Sequence, residues 1–203
     1  MEGNPREEQR KPVRVIAAVS RDGGIGRDGK LPWNLPSEFQ YFLHTVTQVS
    51  RAGKINMMVW GKLCWYSNPP TMFPMPNVLH VVLSQTLTTV PDHAHFLCRD
   101  LESAILLAAQ YPLADLVETI WIAGGTRVYK DALQHRWCDL VYLTDVKASF
   151  DCDVFFPDLD EEVFKRQERF AGLPTGIQEE NGIKYEFQVF KKDQALEEMK
   201  TRP

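Results

Sequence analysis

One acid stands inside an apolar stretch near the start of the chain. The stretch reads Leu31-Pro32-Trp33-Asn34-Leu35-Pro36-Ser37-Glu38-Phe39-Gln40-Tyr41-Phe42. Leu31, Trp33, Leu35, Phe39 and Phe42 surround Glu38 in sequence. Pro36 suits the first position of a helix, which puts Glu38 in that helix's first turn. Phe42 then lies one turn further along the same face. A carboxyl held against aromatic rings loses solvation, which favours its neutral form and raises its pKa. Such a group can orient a polar ligand and carry a proton near neutral pH. A local role is the alternative: a capping-box glutamate reaching back to the backbone at Leu35.

Glycines suggest a second kind of chemistry. Gly24-Ile25-Gly26-Arg27-Asp28-Gly29 spells GxGxxG after an apolar run. A Rossmann fingerprint would open a helix directly and be followed by an acid about twenty residues on. Here Lys30-Leu31-Pro32-Trp33 follows, Pro32 interrupts any such helix, and no acid stands near Val49. A mobile Gly-rich loop beside a site is the better reading. Gly124-Gly125 lies between an apolar run and a helix start. There the backbone can approach a ligand and a helix N-terminus attracts phosphate. Tight strand-to-helix packing explains the same two glycines equally well. Gly61-Lys62 repeats the arrangement with a cation added, and two such helix starts point to a dinucleotide.

Metal chemistry is not expected. His93 and His95 share a strand face with Cys98 nearby, but zinc takes three or four ligands with supporting partners. Asp151, Asp153, Asp158 and Asp160 lack the spacing and glycine of a calcium loop. No GxSxG, HExxH or Walker motif occurs.

Positioning these groups falls to alternating strands and helices. Val13–Ser20, Ile55–Trp60, Val78–Ser84, His93–Cys98 and Thr119–Ala123 read as strands, most of them buried on both faces. Leu140–Val146, Tyr185–Lys191 and part of 163–170 read as further strands. Helices are expected over Pro36–Val49, after Gly61-Lys62, over Asp100–Tyr111 with Asp100 as N-cap, and from Gly125 to His135. The alternation predicts an α/β fold whose sheet is largely parallel, with an antiparallel edge in the C-terminal third.

At 203 residues, 44% hydrophobic and 25% charged, the chain fits one soluble globular domain. That domain is expected over residues 13–193, with 1–12 and 194–203 frayed. The net charge of −4 gives no hint of a DNA-binding surface. No apolar run approaches a membrane span. Residues 1–12 lack the apolar core of a signal peptide. Cys64, Cys98, Cys138 and Cys152 form no CxxC pair and read as reduced thiols of an intracellular, cytoplasmic protein.

Several pieces then coincide in order. They are IAAVS at 16–20, GIGRDGKLPW at 24–33, Glu38 five residues after Trp33, and WGK with a tryptophan at 60–65. VLS at 82–84, WIAGG at 121–125 with VYK at 128–130, and YLT at 142–144 follow. CDVFFP at 152–157 and GIKYEFQVF at 182–190 complete the set. Together they resemble dihydrofolate reductase, most closely the vertebrate type, over residues 14 to 193. The Trp33-to-Glu38 spacing is similar to that of bacterial members, one residue shorter than in vertebrate ones.

The resemblance implies an eight-stranded, mostly parallel sheet and a cleft where NADPH meets a dihydropterin. It implies that Glu38 binds the pterin ring and helps deliver a proton to N5, with Thr144 hydrogen-bonded to Glu38. Trp33 and Leu31 complete the catalytic group. Ile16, Ala18, Phe39, Phe42, Leu43, Asn68, Pro69, Met75, Val78 and Tyr129 would bind substrate. Ala18, Gly24, Ile25, Gly26, Gly29 and Lys30 would border the cofactor, with the loop 21–30 closing over the nicotinamide. Gly61, Lys62, Leu63, Cys64, Leu83, Ser84, Gln85 and Arg99 would hold its adenosine and 2′-phosphate end, Leu83 and Val128 flanking the adenine. Gly124, Gly125, Thr126, Arg127, Val128 and Tyr129 would wrap its pyrophosphate and nicotinamide side.

Departures fall on charged ligand contacts. Val78 stands where the family places an arginine that clamps the glutamate carboxylate of folate. Gln85 replaces its basic residue at the 2′-phosphate, and Cys64 its threonine at the second helix start. Asn68 replaces an apolar residue of the aminobenzoyl slot, and Trp60 a smaller residue before Gly61. The expected activity is NADPH-dependent reduction of dihydrofolate to tetrahydrofolate by a monomer, with weakened grip on the folate tail. Two alternatives remain: a catalytically idle binding or regulatory paralogue, and a reductase of dihydropterins lacking the tail.

Overall fold

The computed structural model describes residues 10–201. In chain order its elements are β1 (Val13–Ser20), β2 (Gly24–Gly26), α1 (Pro36–Thr47), β3 (Ile55–Gly61) and α2 (Lys62–Ser67). Next come β4 (Val78–Leu83), β5 (Phe96–Cys98), α3 (Leu101–Ala108), α4 (Leu113–Leu116), β6 (Val117–Ile122) and α5 (Thr126–Leu133). The C-terminal part holds β7 (Cys138–Val146), β8 (Val154–Phe155), β9 (Phe164–Arg166), β10 (Ile177–Glu180), β11 (Ile183–Lys192) and α6 (Gln194–Thr201).

Eight strands line up in the order β10-β11-β7-β1-β6-β3-β4-β5, and β9 pairs beside β11. Pairings from β7 through β5 are parallel, whereas β11 runs antiparallel to β7, β9 and β10. This is the mostly parallel α/β sheet with an antiparallel edge that the sequence pattern predicts. The central strands are apolar on both faces because helices cover both. Met57 and Val59 face one core with Val13, Val15 and the helices α3 and α5. Met58 and Trp60 face the other, with Ile16, Val78, Val82, Trp121 and the α1 residues Phe42, Leu43 and Val46.

A third cluster joins Trp33 and Leu35 to Val146, Tyr185 and Phe187, with Tyr41 packed against it. The segment leading into α1 therefore sits on the antiparallel edge. Asn56 fixes the other end of α1. Its Nδ2 donates to Val46 O and Gln48 O at 2.8 and 2.7 Å, and its Oδ1 accepts from Thr119 N at 3.2 Å.

Four expectations need correction. The tail from Gln194 is not frayed throughout, because Gln194–Thr201 is helical; residues 1–9 lie outside the described ones. The fourth strand starts only at Phe96, since His93 turns the chain with φ +66°. The helix capped by Asp100, which accepts from Ser103 N at 2.8 Å, stops at Ala108. A turn to Pro112 and the short α4 follow. The Gly-rich loop contains a strand: β2 pairs with β8. Asp153 N donates to Gly26 O at 3.0 Å and Phe156 N to Gly23 O at 2.8 Å.

One buried polar network has no counterpart in the sequence reading. His80 on β4 is 1% exposed. Its Nδ1 accepts from Trp60 Nε1 at 3.0 Å, and its backbone N–H donates to His95 Nδ1 at 2.9 Å. Burial, with His95 beside it, pushes the His80 imidazole down to about 4. The ring is neutral at physiological pH, which suits its place among Trp60, Trp65 and Phe73.

Candidate active site

Glu38 enters α1 two residues after Pro36, at a position that turns it inward; it is 7% exposed. No capping box forms: the N-cap residue Leu35 has no side-chain cap. Instead Thr144, 2% exposed on β7, donates its hydroxyl to Glu38 Oε1 at 2.9 Å. Burial raises the carboxyl's pKa above the ordinary range, and the Thr144 bond opposes that rise. Tyr41, Tyr129 and Tyr185 face the same acid. Burial raises all three phenols, so they stay neutral and add no like charge beside Glu38. The site is therefore a protonatable carboxyl held by one hydroxyl.

The expected pterin-slot residues converge here. Ala18 on β1 stands opposite Thr144 in register. Ile16 is buried beside it and offers its carbonyl to Tyr129 Oη at 2.9 Å. Phe39 and Phe42 stack with centroids 5.9 Å apart on α1, and Leu43 continues that helix toward Met75 and Val78. Trp33 is buried edge-on to Phe150 at 5.4 Å. Trp33 Nε1 and Asn68 Nδ2 are buried donors without a protein partner, which a polar ligand or water would satisfy. Leu31 is different: it lies 53% exposed on the loop before Trp33. Pro69 is exposed after α2. Val78 is 5% exposed, belongs to the second core and lies opposite Asn56 in register, so a neutral apolar side chain stands at this position.

Of the residues expected to hold a cofactor, Gly61, Leu83 and Gly124 lie at or just after the C-terminal ends of parallel strands, where ligands of open α/β sheets bind. Gly61 N donates to Gly124 O at 2.7 Å. A Cβ on Gly61 would meet Gly124 O at 3.3 Å and Gly125 N at 3.4 Å, a tight fit that favours glycine at this approach. Gly124 holds φ +119°, a backbone region that favours glycine, and the Gly124–Gly125 peptide is cis. Gly125 is the N-cap of α5, with no side chain over the helix's first N–H groups. Thr126 and Arg127 are exposed there; Arg127 also pairs with Asp131 at 3.3 Å.

Val128 and Tyr129 turn inward and are buried in the first core, to which Leu83 also packs, and this leaves little of Val128 to flank a base. Cys64 approaches Ala123 O at 3.6 Å, and burial raises its thiol to about 11, so it is an inert neighbour. Leu63 is 80% exposed. Lys30 and Gly29 lie on the exposed loop, while Gly24 N donates to Ser20 Oγ at 2.9 Å and Ile25 packs inward.

A polar cluster marks the third strand end. Lys62 Nζ donates to Thr86 Oγ1 at 3.1 Å, and Ser84 Oγ lies 3.2 Å from the same hydroxyl. Ser84 N bonds Cys98 O at 2.9 Å, which brings Arg99 alongside. Gln85 is exposed at this edge. Thr86 escaped the sequence reading; its signal is a second hydroxyl two residues beyond Ser84. These donors, with the bare start of α5, fit a phosphorylated dinucleotide.

A buried acid bonded to Thr144 of β7 and a glycine-lined, cationic strand edge are the parts of a dinucleotide-dependent α/β reductase. The dihydrofolate reductase family model matches residues 12–192, and the chain belongs to that family. It is 39% identical over 184 residues to the dihydrofolate reductase of Sus scrofa, covering 90% of this chain and 99% of that one. The viral dihydrofolate reductase of Saimiriine herpesvirus 2 is 39% identical over 181 residues, 89% of this chain and 84% of that one. The Schistosoma mansoni dihydrofolate reductase structure superposes with a TM-score of 0.80 at 29% identity, covering 91% of this chain and all of that one.

Thr144→Val isolates the hydroxyl's effect. The bond favours the charged carboxylate, so its loss should raise the Glu38 pKa further. Activity that needs the protonated acid should then persist to higher pH. A pH profile of hydride transfer checks this. An unmoved or acid-shifted limb would contradict the bond's role.

Proposed function

We propose that Glu38 is the acid that orients the dihydropterin ring and delivers the proton to N5 during NADPH-dependent reduction of dihydrofolate. The single observation that carries the reading is a carboxyl 7% exposed, bonded to Thr144 and raised in pKa by burial. A carboxyl so held stays protonated to higher pH than an exposed one, which matches the need for a proton donor near neutrality. Gly61, Gly124, Gly125 and the start of α5 would hold NADPH, which would supply hydride-transfer chemistry when bound.

Other residues prepare the site. Ile16, Ala18, Phe39 and Phe42 give the ring apolar walls that exclude water. Trp33 Nε1 and Asn68 Nδ2 offer donors. Gly61, Gly124 and Gly125 admit the cofactor's backbone, and the α5 N-terminus favours its phosphates. Lys62, Ser84, Thr86 and Arg99 give the 2′-phosphate partners although Gln85 adds no charge. The Glu38–Thr144 pair speaks against an idle paralogue, since a buried acid is costly where no ligand uses it. The small-molecule site and the net charge of −4 suit a monomer working in the cytoplasm. No helix among the described residues is long and apolar enough to cross a membrane.

Glu38→Gln keeps the shape and removes the titrating proton. Turnover at neutral pH should fall about 10²–10⁴-fold with NADPH affinity unchanged. Turnover close to that of the parent chain would refute the assignment.

Val78 bears on the substrate's tail. A glutamate carboxylate would find apolar surface here, not a two-bond arginine clamp. Val78→Arg should tighten dihydrofolate about ten- to hundredfold, the range of one charge-assisted bond. A tail-less dihydropterin should gain nothing. Paired dissociation constants for both ligands test this, and an equal change for both would show that residue 78 does not meet the tail.

A further inference from the structure

The helix that carries Glu38 has no cap of its own. Leu35 stands at the N-cap and offers no side-chain oxygen to the first turn, where a serine or aspartate is the usual solution. The acceptor comes from the far edge of the sheet. Glu180, the last residue of β10, sets Oε1 2.9 Å from Ser37 N and Oε2 2.6 Å from Ser37 Oγ. Asn181 follows and donates from Nδ2 to Asn34 O at 2.9 Å. Asn181 and Gly182, at φ +51° and +73°, turn the chain from β10 into β11, and Glu180 pairs with Ile183. On its other side β11 pairs with β7, with Phe187 opposite Thr144. One rigid edge therefore holds both the residue before Glu38 and the partner of Glu38's carboxyl.

From this juxtaposition we propose that Glu180 is a positioning residue for the proton-transfer acid: it caps α1 from outside and sets how deeply Glu38 is buried against Thr144. The inference rests on the reading of Glu38 as that acid. Without the cap Ser37 N–H and its hydroxyl lose their acceptor, and the turn opens to water. Glu38 then gains solvation and its carboxyl moves back toward the ordinary range. The groups facing Glu38 are Thr144 from β7, Tyr41 from α1, Tyr129 from α5 and Tyr185 from β11, which also faces Glu180. Burial raises the three phenols, so none of them titrates near neutrality in its place.

Single-turnover hydride transfer is followed across pH for the parent chain, Glu180→Ala, Glu180→Gln and Glu38→Gln. Melting curves and NADPH dissociation constants are taken alongside. The parent rate should fall as pH rises through the Glu38 limb. Glu180→Ala should move that limb to lower pH and slow the neutral-pH rate about two- to thirtyfold, the range of a lost cap. NADPH affinity should not change. Glu180→Gln can still accept from Ser37 N and bond its hydroxyl, so it should keep the parent profile. A limb left in place while only the melting temperature drops would reduce Glu180 to a structural cap. Equal shifts in Glu180→Ala and Glu180→Gln would assign the effect to charge and overturn the positioning role. Should Glu180→Ala fail to fold, Ser37→Ala removes the hydroxyl contact alone and must give a smaller shift of the same sign; no shift overturns the proposal. Glu38→Gln retaining the parent limb would overturn the reading of Glu38, a result separate from any of these.

Discussion

Taking a carboxyl out of water with one hydroxyl as its donor favours the protonated form. It also leaves the native state to hold that group in place against the cost of its burial. Glu38 meets this condition, and the surrounding elements follow from it. Its helix is fixed at the far end by the three bonds of Asn56. At the near end it rests on the Trp33, Tyr185 and Phe187 cluster. Thr144 comes from β7, and the strand next to it places Ala18 opposite Thr144. Because the folded pKa lies above the unfolded one, the stabilising contribution of this proton is full below the unfolded pKa. It is lost as pH rises through the folded one.

The glycine-lined strand edge obeys a different constraint, close backbone approach. Gly61 and Gly124 are bonded at 2.7 Å, and a side chain on Gly61 would crowd the second glycine chain. This contact joins β3 to the loop before α5 and leaves that helix start bare. Acid and glycine pair lie toward the same strand ends: Ala18 and Thr144 stand near the C-terminal ends of β1 and β7, and Gly61 ends β3.

Much of this was legible in the sequence. The strands β1, β3 and β6 are apolar on both faces, a pattern that only a covered parallel sheet uses. Pro36 and Glu38 marked the helix start, and the ordered motifs placed Thr144 beside the acid. What stayed hidden depends on tertiary pairing. No local pattern links Glu180 to Ser37 or Asn56 to Val46, because such bonds join residues brought close only by the fold. His80 read as one polar residue in a strand, and its Trp60 partner lies twenty residues away. The helix after Gln194 has a weak polar pattern, and the chain end suggested fraying. Val128 followed the family motif toward the cofactor, yet core packing turns it inward.

The carboxyl of Glu38 can be observed directly. Carbon-13 labelling of the glutamate side chains, with Glu38→Gln to assign the signal, gives its titration by NMR in the unliganded enzyme. The expected result is a midpoint above the ordinary glutamate range of about 4.3. A midpoint at or below that value would mean that burial does not hold the proton on Glu38, and the acid would have no physical basis for its role.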